Sequence, residues 1–124
     1  MKNSLAPIVL FVYNRLDHTK QTIKSLQKNK LAKESELFIY SDAAQSEKVK
    51  NSIDEVRDYI KTIEGFKEIH IIERDINLGL EKSIIDGVTK IVNKYGKIIV
   101  IEDDIVTSVN FLEYMNTILN FVSL

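Results

Sequence analysis

Cysteine is absent from all 124 residues, which excludes disulfides, cysteine-ligated zinc and the thiol chemistry of redox or protease sites. Proline occurs once and glycine four times. No Pro/Gly/Ser-rich linker, repeat or low-complexity tract therefore divides the chain, and its length predicts a single domain, 1–124, with one real core. Charge of one sign is also lacking. Lys plus Arg number 17 against 18 for Asp plus Glu, a net charge of −1, so nothing draws the whole chain toward nucleic acid or an anionic membrane. Long apolar runs are missing too: "PIVLFV" near the start is far too short to cross a bilayer and lacks the flanks of a signal peptide. The expectation is a cytoplasmic chain without a transmembrane segment, membrane-peripheral only through some other segment. Its oligomeric state is left open.

The residues present suit a globular protein, 44% hydrophobic and 28% charged, well away from the composition of disorder. Four apolar runs predict strands at Ile8–Tyr13, Leu37–Ser41, Ile69–Glu73 and Ile98–Ile101. Their near-continuous branched content fits strands covered on both faces. Between them lie helical stripes: Leu16, Ile23 and Leu26; then Val49, Ile53, Val56, Ile60 and Ile63, with Gly65 as C-cap; then Ile84, Val88, Ile91, Val92 and Tyr95, ending at Gly96. A last helix takes Phe111, Leu112, Met115, Ile118, Leu119 and Val122, with Ser108 or Asn110 as its cap. The order β-α-β-α-β-α-β-α predicts an α/β fold with a doubly wound, mainly parallel, Rossmann-like sheet.

Ligands of such sheets bind beyond the carboxyl ends of the strands. All four strands exit there into polar groups: Tyr13, Asn14 and Arg15; Ser41 and Asp42; Glu73 to Gly79; and the triplet Glu102, Asp103, Asp104. Three adjacent acids repel one another, so the triplet is either a solvated strand end or a holder of something positive. Mg²⁺ or Mn²⁺ engaged with phosphates is held by one or two carboxylates plus water. Arg15 reads equally as a helix-start residue paired with Asp17, Asp42 as a turn or cap residue, and Asn77 with Gly79 as a turn. Lys82 and Ser83 open the third helix, where a phosphate could meet free N–H groups, or are a solvated first turn. His18 and His70 lack a second His or a Cys at ligand spacing and read as structural or surface residues. The lysine-rich Lys24–Lys33 has no interleaved aromatics and reads as a solvated helix end.

The stretches "PIVLFVYNR", "IYSDAA", "INLGL" and "VIEDDIVTSVNFLEYM" together resemble the GT-A fold nucleotide-sugar glycosyltransferases. The likeness is to the inverting N-acetylglucosaminyltransferases with an acidic triplet, and to bacterial sugar transferases of similar layout. It implies a DXD-type metal motif, here E-D-D, with Asp104 as the direct ligand of Mn²⁺ or Mg²⁺ and Asp103 reaching the metal or, with Glu102, the hydroxyls of ribose and donor sugar. It implies a donor site, for a UDP-sugar by preference, built from Tyr13, Arg15, Asp42, Asn77, Gly79 and Lys82, with Asp42 reading the uracil N3–H. The implied reaction is inverting transfer to a saccharide or other hydroxyl acceptor, by a general base expected beyond residue 124 in a longer protein. Phe121, Val122 and Leu124 at the end of the last helix are expected to be exposed where it is cut from that protein. Two other classes remain: a phosphoacceptor receiver, whose acids should follow the first strand, and a non-catalytic α/β interaction module.

Overall fold

A computed structural model describes residues 4–122. Strands β1 (Ile8–Val12), β2 (Glu36–Ser41), β3 (Glu68–Glu73) and β4 (Ile99–Glu102) alternate with helices α1 (Leu16–Gln27), α2 (Lys50–Ile60), α3 (Leu80–Tyr95) and α4 (Phe111–Val122). Short 3₁₀ turns, Lys30–Glu34 and Glu47–Val49, lead into β2 and α2.

All four strands are parallel, in the order β3-β2-β1-β4. β1 is central because it is wholly apolar, and all five of its residues are buried. Alternation of its side chains makes the two cores. Ile8, Leu10 and Val12 pack with Ile23 and Leu26 of α1, Val56 and Ile60 of α2 and Leu112 of α4. Val9 and Phe11, with Phe38 and Tyr40 of β2, pack with Ile91 and the Ile84–Val88–Tyr95 stripe of α3. The sheet is therefore doubly wound, three helices on one face and one on the other, and the order in which strands are added reverses between β1 and β4.

Full cover on both faces holds for β1 and β2 only. One helix is about 10 Å wide and cannot span four strands spaced about 4.8 Å apart, so in β4 Ile99 and Ile101 are buried while Val100 and Glu102 are exposed. The strand order is also that of the first four strands of a dinucleotide-binding sheet, 3-2-1-4, and differs from the 2-1-3-4-5 order of the flavodoxin-like folds that include receivers.

Two caps differ from expectation. α2 stops at Ile60, where the Thr62 hydroxyl and N–H both donate to the Tyr59 carbonyl; Ile63 and Gly65 (φ +100) belong to the loop before β3. At α4, Ser108 and Asn110 engage the helix start through backbone carbonyls, and a side-chain acceptor comes from Asn29, whose Oδ1 takes the Leu112 N–H at 2.8 Å. Gly96 does end α3, left-handed at φ +80. Phe121 is exposed, whereas the Val122 side chain and Leu124 lie outside the described residues. Among the described residues no helix is long and apolar enough to cross a membrane.

Candidate functional site

A cavity of about 320 Å³ opens where β1 and β4 diverge, lined by the ends of both strands, the loop after β2 and the start of α3. Tyr13, Arg15, Asp42, Asn77, Gly79, Glu102 and Asp103 all contribute to its wall. They come from four different strand exits, brought together by the reversal of strand order.

Asp42, 6% exposed, has both carboxylate oxygens engaged. Oδ1 accepts the N–H groups of Ala43 (2.9 Å) and Leu78 (3.0 Å). Oδ2 accepts the Gly79 N–H (2.9 Å) and the Asn77 amide (3.3 Å), and that amide also donates to the Ala43 carbonyl at 2.8 Å. A carboxylate has about four lone-pair sites, so in this arrangement Asp42 fastens the "INLG" loop and keeps none for a base N3–H. Gly79 starts α3 at φ 85, a conformation that favours glycine, and the negative Asp42 lies against that positive helix end.

Two arginines that drew no attention in the sequence stiffen this wall. Arg57 of α2 donates to the Ser41 hydroxyl (2.8 Å) and to the carbonyls of Ser41, Asp42 and Arg74. Arg74 donates to the hydroxyl and carbonyl of Ser83, pairs with Asp86 at 3.0 Å and lies over the Tyr40 ring. Their only sequence signal is position, in a helix flank and just after a strand. Lys82 is exposed and outside the wall, and the buried Ser83 lines it instead.

Asp103 is 7% exposed, and among the described residues its one salt bridge is to Arg15, at 3.4 Å. That contact replaces the Arg15–Asp17 pair considered from the sequence. Burial pushes the Asp103 carboxyl above the ordinary Asp range; Arg15 works against this, and Asp104 adds to it. Its backbone is held from α1: the Thr22 hydroxyl donates to the Asp103 carbonyl, Ser25 Oγ accepts the Thr107 N–H, and the Asn29 amide donates to the Ser108 carbonyl. Thr22 and Ser25 of α1 and Asn29 just beyond its end, spaced by three and four, form a buried polar seam, so the stretch Lys24–Lys33 is not solvated throughout: Ser25 and Asn29 within it are buried.

Asp104 is exposed and outside the cavity wall. The triplet does not bring one oxygen from each acid into a common ligand set; among the described residues only Glu36, Glu68 and His70 place three ligand atoms within 4.8 Å of one another. A cation here would rest on Asp103 and Glu102, the two acids of the triplet that line the cavity, before Asp104; the third lining acid, Asp42, has both oxygens engaged by the loop.

No protein-family model and no curated protein sequence matches the chain. Among solved structures, S. aureus TarS resembles it over 94% of this chain with a TM-score of 0.66 and 13% identity. The match covers 20% of TarS, so this chain spans about a fifth of that length. At this identity the likeness shows a shared fold.

Proposed function

We propose that the chain is the donor-binding domain of a glycosyltransferase, taking a nucleoside-diphosphate sugar, with UDP preferred, into the β1/β4 cavity together with Mn²⁺ or Mg²⁺. The observation that carries this reading is Asp103: a buried carboxylate on a 320 Å³ cavity at the sheet's switch point, with one salt bridge, at 3.4 Å, among the described residues. A buried charge left so thinly compensated costs stability, and a cation brought by the ligand compensates it. The fold shared with TarS, a staphylococcal glycosyltransferase, supports the same class.

In this reading Arg15, half exposed at the cavity, meets the diphosphate, and Tyr13 with Phe11 supplies aromatic surface for the base. Tyr13 is anchored through its hydroxyl, which accepts the Gln45 N–H at 3.0 Å. The loop Asn77–Gly79 closes the side facing the sugar, held by Asp42. Asp103 and Glu102 hold the cation, whose contribution is to neutralise charge on the departing diphosphate. The chemistry is displacement: an acceptor hydroxyl forms the new bond to the anomeric carbon as the bond to the diphosphate breaks, and the hydroxyl proton passes to a base. That base is assigned to the acceptor-binding part of a longer protein.

Calorimetry with UDP tests the reading. Wild type should bind in a Mn²⁺-dependent way, Asp103→Asn should weaken binding at least tenfold, and Glu113→Gln on the exposed side of α4 should not. Equal affinity in wild type and Asp103→Asn with metal present overturns it.

A further inference from the structure

At the opposite end of the sheet from the cavity, Glu36 opens β2 and Glu68 opens β3, directly paired in register, with Phe38 and His70 as the next pair on the same face. His70 Nε2 lies 3.1 Å from Glu36 Oε1 and 3.2 Å from Glu68 Oε1. Like charges set opposite each other across two strands are destabilising. Among the described residues neither carboxylate pairs with a Lys or Arg; His70 is the charge partner of both. Both carboxylates therefore converge on one imidazole nitrogen.

The spacing fits coordination. Ligand atoms about 2.0–2.2 Å from a tetrahedral Zn²⁺ stand roughly 3.3–3.6 Å apart, within a few tenths of an ångström of the observed separations. The surroundings fit as well. The Phe38 ring stacks on the imidazole with centroids 4.3 Å apart, and the Tyr95 hydroxyl donates to Glu36 Oε1 at 3.2 Å. Such outer contacts orient metal ligands. All three ligands stand on paired strands, so their separation is set by the sheet and not by a loop.

We propose that Glu36, Glu68 and His70 form a binding site for a divalent transition-metal ion of the Zn²⁺ class, with the fourth position open to water. Imidazole selects Zn²⁺ over the hard cations that carboxylates alone would take. Bound there, the ion staples the starts of β2 and β3 to each other and, through Tyr95, to the end of α3. Its role is structural, since the cavity lies at the other ends of the same strands. The site is independent of the glycosyltransferase reading.

The test is calorimetric titration of the whole chain with Zn²⁺, with Co²⁺ absorption reporting the coordination and thermal unfolding reporting the staple. One equivalent should bind to wild type and raise its Tm. His70→Ala and Glu68→Gln should each weaken this binding at least tenfold and abolish the rise in Tm, whereas Glu113→Gln on the exposed side of α4 should leave both intact. Glu68 is mostly exposed, so Glu68→Gln keeps the test valid if His70→Ala fails to fold. Absence of a saturable equivalent in wild type overturns the proposal, as does binding unchanged by Glu68→Gln or lost in Glu113→Gln.

Discussion

Asp103 stands in surroundings that disfavour its charge, burial first among them, and the cost has a definite sign. Its folded pKa lies above 3.8, so between that value and the folded pKa the native state holds more protons than the unfolded chain, and stability falls as pH rises through that window. Asp103→Asn removes the effect. The variant should unfold at higher denaturant than wild type near neutrality, and the advantage should shrink to nothing below 3.8, measured as urea midpoints across that range. The Asp42 carboxylate contributes by hydrogen bonding, holding three backbone N–H groups and one amide. Asp42→Ala should cost about 2–3 kcal/mol by leaving buried donors unpaired. It should also weaken UDP and ADP alike, because the loop loses its anchor; a loss confined to UDP would return base recognition to Asp42.

Among the elements, α3 shows how much a helix stripe leaves unsaid. Its apolar spacing is plain in the sequence, yet the residue that sets its distance from the sheet is Gly87. A Cβ added there would lie 3.0 Å from two ring carbons of Phe11 and 3.1 Å from one of Tyr40. Those rings are buried and stacked on each other, centroids 5.4 Å apart, and have little room to yield. Gly87→Ala gains about 1 kcal/mol of helix propensity but overpacks the interface by 1–3 kcal/mol. We expect net destabilisation of about 1 kcal/mol by thermal unfolding, together with weaker nucleotide binding as α3 and Gly79 shift outward. A rise in Tm would mean that the rings move aside. Along and just past α1 the buried seam of Thr22, Ser25 and Asn29 was illegible for a different reason: small polar residues read as neutral until the loop they hold is in view.

For the whole molecule, the cavity joins β1, β4, the loop after β2 and the start of α3, so a ligand there restrains both faces of the sheet at once. UDP with Mn²⁺ at about a hundred times its dissociation constant should stabilise by about 2.7 kcal/mol. For a domain of this size that is a rise in Tm of roughly 8–14 °C, seen as one shifted transition. A shift in only part of a split transition would show that the two faces unfold separately.

Period and punctuation along the chain determined the element order, the parallel sheet and the edge on which Arg15, Asp42, Asn77 and the acidic triplet gather, because apolar spacing and strand exits are local properties. Tertiary structure decided the rest. Which of three adjacent acids faces inward depends on where β4 ends against β1, and burial of Asp103 beside exposed Asp104 follows from that turn. Whether Asp42 reads a ligand or holds a loop depends on donors 35 to 37 residues away. Glu68 and His70 share a face through the two-residue period of β3, but Glu36 meets them only through strand register, a relation between residues 34 apart that no local pattern encodes.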